Sequence, residues 1–165
     1  MGKKSSTDLL TGLGTRAELM LGLAEAVEPA SPPTTLALFD FGGLDEYADL
    51  YGRLEGQALL IRLAHRLSKA IEQPASYYRP RTDEFAALIQ SPIAIAEPLL
   101  AATVSTLTTR FEQFEITPAF GAALLPDEAS EPVDALMLAD QRLYLKTLAR
   151  SARERRQTPR GHRSS

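Results

Sequence analysis

Two short apolar runs, well apart in the chain, each deliver a carboxylate to a turn, and that repetition limits how the chain can fold. The first is Thr35-Leu36-Ala37-Leu38-Phe39-Asp40-Phe41 and the second Arg79-Pro80-Arg81-Thr82-Asp83-Glu84-Phe85. Compact runs of branched and aromatic residues that close on a polar turn read as strands of a buried sheet. Side by side, such strands would bring Asp40 and Asp83 to one sheet edge. Converging carboxylates there form a hard-oxygen site for a divalent cation carrying a triphosphate. The turn before Asp83 is at odds with that chemistry. A phosphate-cradling turn normally uses glycine, and Arg81 and Thr82 stand in its place.

The rest of the chain supplies helices to pack on that sheet. Thr15-Arg16-Ala17-Glu18 has capping-box form and precedes a stripe of Met20, Leu23, Ala24 and Val27. Leu44 to Tyr51 reads as a short helix after the Gly42-Gly43 turn. Leu54 to Ile71 is a stronger one, with Leu60, Leu63, Ala64, Leu67 and Ile71 on one face. Ser76 to Arg79 and Glu84 to Ile89 flank the Arg-Thr turn as a hairpin. A helix over about 94–113 follows, striped by Leu100, Val104, Leu107 and Phe111, then a strand from Ile116 to Leu125. Pro132 to about Arg153 closes the chain as a helix. Strands alternating with helices, plus a hairpin, predict a mixed α+β or α/β fold: a central mixed β-sheet flanked by helices. With 165 residues the chain is expected to hold one domain over 8–153, after a flexible segment 1–7 and before a disordered, arginine-rich tail over 154–165.

Charge separates that tail from the body. Residues 150–165 carry six arginines against Glu154 alone, leaving twelve basic and twenty acidic side chains elsewhere. An acidic body is poorly suited to nucleic acid, so none is expected as a partner, although the tail could touch phosphates or an acidic protein. The absence of cysteine removes disulfides, thiol catalysis and thiolate zinc sites. No run has the roughly 18 apolar residues of a membrane span, and Met1-Gly2-Lys3-Lys4-Ser5-Ser6 has no apolar segment behind it, so a cytoplasmic location is expected. His65 reads as a surface residue on the polar flank of its helix, and Tyr77, Tyr78 and Phe85 as hairpin packing.

The order of motifs resembles the GGDEF family of diguanylate cyclases over roughly residues 6–150. Asp8-Leu9-Leu10-Thr11-Gly12-Leu13-Gly14-Thr15-Arg16 is similar to its opening motif, with Thr15 departing. Leu38-Phe39-Asp40, Tyr51-Gly52, Gly56, Arg81-Thr82-Asp83-Glu84-Phe85, Phe120-Gly121-Ala122 and Leu138-Ala139-Asp140-Gln141-Arg142-Leu143-Tyr144 follow in the family's order. The resemblance implies a nucleotide-cyclase-like palm fold that condenses two GTP molecules into cyclic di-GMP between two facing copies. It assigns Mg2+ or Mn2+ to Asp40, Asp83 and the Phe41 backbone, and a supporting catalytic role to Asp83 and Glu84.

Several implied positions are altered. The second strand-end carboxylate is Gly42. The guanine-reading pair is Ala48 and Gln57, and a phosphate-side lysine is Asp45. The closing-helix cations align with Thr147 and Ser151, while Lys146 and Arg150 lie one residue, and so about 100° of helix rotation, away. The product-inhibition motif would fall on Glu72 and Ala75 and is absent. Losing hydrogen bonds built for one base removes orders of magnitude of discrimination. The expectation is therefore a catalytically degenerate domain acting as a nucleotide-binding or protein-interaction module in cyclic-dinucleotide signalling, partnered by a nucleoside triphosphate, a second copy or another signalling protein. The alternative is an active metal-dependent nucleotidyltransferase of changed base preference. Asp40 and Asp83 either hold metal or survive as a structural remnant paired with Arg79 or Arg81.

Overall fold

The computed structural model describes residues 6–157. Its elements are α1 (Arg16–Ala26), β1 (Thr34–Gly42), α2 (Leu44–Tyr51), α3 (Arg53–Ala70), β2 (Ala75–Arg81), β3 (Glu84–Ile89), α4 (Ile93–Leu107), β4 (Thr109–Arg110), β5 (Glu115–Leu125) and α5 (Pro132–Gln157). The strands form one sheet in the order β2-β3-β1-β5-β4. Helices flank it as the sequence implies. Each ladder among the described residues is antiparallel, and the parallel component is confined to a single bridge between Gly14 and Tyr78.

The two-residue alternation of β1 builds two cores. Ala37, Phe39 and Phe41 point to one face, packing with Leu63 and Leu67 of α3, Phe85 of β3 and Leu100 of α4. Leu36 and Leu38 point to the other, with Leu19 and Leu23 of α1 and Ala135, Ala139 and Leu143 of α5. Asp40 and Gly42 continue the second set, so parity alone aims them at α5. On that face β5 offers Gly121 opposite Leu38 and Ala119 opposite Asp40. These small residues let α5 come close: a Cβ on Gly121 would fall 2.1 Å from the Ala139 carbonyl oxygen and 2.3 Å from the Leu143 nitrogen.

Several boundaries move. β1 runs two residues past Asp40, to Gly42. The helix expected over 94–113 ends at Leu107, and Thr109–Arg110 pair with β5 instead. Phe111 therefore leaves the helical stripe and stacks on Phe114, at 5.2 Å between ring centroids, beside Tyr47. The boundary placed at 153 falls inside α5, which continues to Gln157, and the rest of the predicted tail lies outside the described residues. Of the segment 1–7, the described part is tied down: the Ser6 and Thr15 hydroxyls share a hydrogen bond and Thr7 bridges to Gly14. Among the described residues no helix is long and apolar enough to cross a membrane.

Candidate functional site

Antiparallel register sets Asp40 directly opposite Glu84 at the end of the central strands. Arg81 and Glu84 pair across the two-residue turn Thr82-Asp83, which places Asp83 at its tip. With Asp140, Tyr144 and Thr147 of α5, these residues line a cleft of about 280 Å³. Like charges this close, on a partly buried surface, resist ionisation. Burial raises the Asp40 pKa; Arg150 works against that shift, and Asp83 and Asp45 add to it. Burial also raises Glu84, opposed by Arg81 and reinforced by Asp140, Asp83 and Asp40.

The cation beside Asp40 comes from an unexpected place. Arg150 of α5 donates from Nη1 to the Thr117 carbonyl at 2.7 Å and sets Nη2 3.6 Å from Asp40 Oδ2. Its guanidinium lies over Gly42, where a Cβ would fall 2.6 Å from Nη2. A guanidinium thus fills the space that a side chain at position 42 would need. Helix rotation sets Arg150 about 100° from Ser151, the position expected to carry the cation, but a long arginine side chain spans that angle. Among the described residues neither Arg79 nor Arg81 makes the ion pair with Asp40 or Asp83 that the remnant reading foresaw. Arg79 instead grips both Asp8 carboxylate oxygens, at 3.1 and 3.2 Å, and donates twice to the Thr82 carbonyl, at 2.7 and 3.0 Å. Burial would raise Asp8, yet hydrogen bonds from Thr11 and Arg79 outweigh it and hold its pKa low. The turn is pinned to the Asp8-to-Gly14 segment, and no residue other than glycine among those described has a positive φ, so Thr82 sits there without backbone strain.

A second cleft, of about 410 Å³, adjoins the turn. Asp45, Ala48 and Gln57 line it together with Gly56, Thr82 and Asp83. The fold therefore brings the expected base-reading positions to the carboxylates. Lys146 is not brought with them. Its Nζ lies 3.3 Å from the centroid of the Phe120 ring, in a groove against Ala101 and Val104 of α4. Loss of water there lowers its pKa, with Glu97 pulling the other way. Asp140 and Tyr144, which the sequence suggests are structural, are exposed and face the carboxylate cleft. Leu143 carries the packing at that turn of α5.

Divalent magnesium or manganese needs several oxygen donors around one point. Among the described residues no three acidic or histidine side chains are grouped to hold a metal ion. Asp40 also already has a guanidinium for its counter-charge. As arranged, Asp40, Asp83 and the Phe41 backbone do not fit such an ion.

The family model "Diguanylate cyclase, GGDEF domain" matches residues 5–153. The diguanylate cyclase DgcS of Shewanella oneidensis is 31% identical over 87% of this chain, and an uncharacterized signaling protein of Caulobacter vibrioides is 29% identical over 83%. The chain spans 50% and 18% of those two proteins' lengths. A crystal structure of a sensory box/GGDEF family protein from Caulobacter crescentus superposes with a TM-score of 0.75 at 29% identity, covering 87% of this chain and 98% of that one. The GGDEF domain of Caulobacter crescentus DgcB, solved with c-di-GMP, shares the fold at 23% identity, with a TM-score of 0.73 over 90% of this chain and 94% of that one. The chain belongs to the GGDEF family.

Proposed function

We propose that this GGDEF domain is catalytically degenerate and works as a nucleotide-binding or protein-interaction module in cyclic-dinucleotide signalling. The observation that carries the reading is the Arg150 guanidinium, which lies over Gly42 and supplies the counter-charge beside Asp40. A divalent cation entering there must displace it and break its bond to the Thr117 carbonyl. Charge-assisted hydrogen bonds of that kind contribute about 1.5–3 kcal/mol, enough to weaken metal binding roughly ten- to a hundredfold. Other changes act in the same direction. Asp45 adds negative charge toward a polyanionic ligand, Arg81 and Thr82 fill the turn that would cradle phosphate, and Ala48 has no group with which to read a base. Lys146 is engaged elsewhere.

A second reading, an active metal-dependent nucleotidyltransferase of altered base preference, draws support from the persistence of the adjoining cleft, where Gln57 keeps an amide able to pair with a base edge. Mn2+ titration followed by electron paramagnetic resonance separates the two. The degenerate reading expects no site in the wild type at millimolar Mn2+, and a new one in the Gly42→Asp, Arg150→Ala double variant. Wild-type binding that disappears in Asp40→Ala would favour the enzyme.

A further inference from the structure

Helix α5 buries Ala135, Ala139 and Leu143 against the sheet. On its outward side Val133, Met137, Tyr144 and Leu148 recur at intervals of four, seven and four residues, which places them on one helical face. Their exposures are 57, 65, 60 and 45%. Single exposed apolar side chains are ordinary, but four large ones on one helical face mark an interaction surface. The stripe also abuts the carboxylate cleft, because Tyr144 belongs to both.

Charge selects what can cover it. Asp83, Glu84 and Asp140 line the cleft with Arg81 as the cation on their side, while Arg150 is committed to Asp40 and Thr117. An acidic segment meets repulsion there, and so does an anionic membrane surface. A cationic side chain meets three carboxylates whose mutual repulsion it relieves.

We infer that the α5 stripe and the cleft form one docking surface for a basic amphipathic helix of a partner protein. The partner's apolar face lies on Met137, Tyr144 and Leu148, and a lysine or arginine enters among Asp83, Glu84 and Asp140. The stripe from 133 to 148 spans about 22 Å at 1.5 Å per residue, which suits a helix of about four turns. This rests on the protein-interaction form of the degenerate reading, since a cleft used for a metal–nucleotide complex would not be free for the partner.

The test is fluorescence anisotropy with a labelled model peptide carrying leucine and lysine at helical spacing, and a matched peptide with glutamate for lysine. Binding of the lysine peptide is expected to weaken at least tenfold in Met137→Ser/Tyr144→Ser and in Asp83→Asn/Asp140→Asn. It should also fall with salt and be unchanged in Leu21→Ser, an exposed leucine on α1. Equal binding by wild type and both double variants, or equal binding of the glutamate peptide, overturns the proposal. Self-association of the chain that is lost in the same variants also overturns it, by making a second copy the occupant. If Mg2+–GTP displaces the peptide, and Asp40→Ala abolishes that competition, the metal-free, protein-interaction form of the degenerate reading fails while the docking surface stands.

Discussion

Arg150 and Gly42 exclude one another's alternatives. A Cβ at 42 would fall 2.6 Å from Nη2 and 2.7 Å from the guanidinium carbon, so the arginine can rest there because residue 42 has no side chain. The same contact carries an ion pair to Asp40 and ties the last turns of α5 to β5 through Thr117.

A double-mutant cycle measures this coupling. Arg150→Ala should cost about 1.5–3 kcal/mol, mostly the charged bond to the Thr117 carbonyl, because the partly exposed ion pair contributes little. Gly42→Ala should cost a similar amount by expelling the guanidinium. In the Arg150→Ala background Gly42→Ala should then be nearly neutral, and urea denaturation of the four proteins reads the difference. Additive costs would mean that the two residues do not compete for one space.

The cleft also predicts how stability depends on pH. Burial lifts Asp40 and Glu84 above their ordinary 3.8 and 4.5, so the folded chain keeps protons there that the unfolded chain releases. Stability from these groups is present below those ordinary values and is lost as pH rises through the raised ones. Asp8 works the opposite way: its lowered pKa gives stability that is lost as pH falls, and it is common to both proteins compared. The advantage of Asp40→Asn/Glu84→Gln over wild type should therefore grow from about pH 4 to about pH 7 in denaturant titrations. Parallel curves would show that the cleft does not shift these carboxylates.

Arg79 joins two segments far apart in sequence, with its side chain 10% exposed and that of Asp8 23%. Removing one partner of a largely buried pair leaves the other without compensation. Arg79→Ala should cost about 2–4 kcal/mol, and Arg79→Lys an intermediate amount, since an ammonium cannot hold the Asp8 carboxylate and the Thr82 carbonyl at once as the guanidinium fork does. Thermal unfolding checks the ranking.

Gly121→Ala should be the most damaging methyl addition among the described glycines. Its Cβ would meet α5 backbone, which cannot swing away as a side-chain tip can. A loss of about 3 kcal/mol or more, or failure to fold, is expected in circular-dichroism melts. A loss under about 1 kcal/mol would mean that α5 sits further from β5.

The framework was legible in the sequence because its signals are local. The alternation in Leu36 to Phe41, the striped helix after Arg53 and the hairpin around Thr82-Asp83 all appear where periodicity and turn chemistry put them. The end of α4 was missed because Phe111 continues the helical spacing by coincidence, while its ring belongs to an aromatic cluster with Tyr47 and Phe114. The site was legible in its carboxylates and in the Asp45, Ala48 and Gln57 cleft. Its cations were not. Rotation around a helix axis separated Arg150 from the cleft on paper, and nothing local says that an arginine will reach across or that Lys146 will settle on Phe120. The pairing of Arg79 with Asp8 joins residues too distant in sequence for any pattern to link.

The central claim is that the strand-end carboxylates no longer support catalysis, and product analysis tests it most directly. Purified protein is incubated with Mg2+ or Mn2+ and either GTP alone or all four nucleoside triphosphates, beside Asp40→Ala and Asp83→Ala, and the mixtures are resolved by liquid chromatography and mass spectrometry. The account predicts no cyclic or linear dinucleotide, with the three proteins indistinguishable. A dinucleotide made by the wild type and lost in both variants would contradict it, and the bases in that product would identify the substrate.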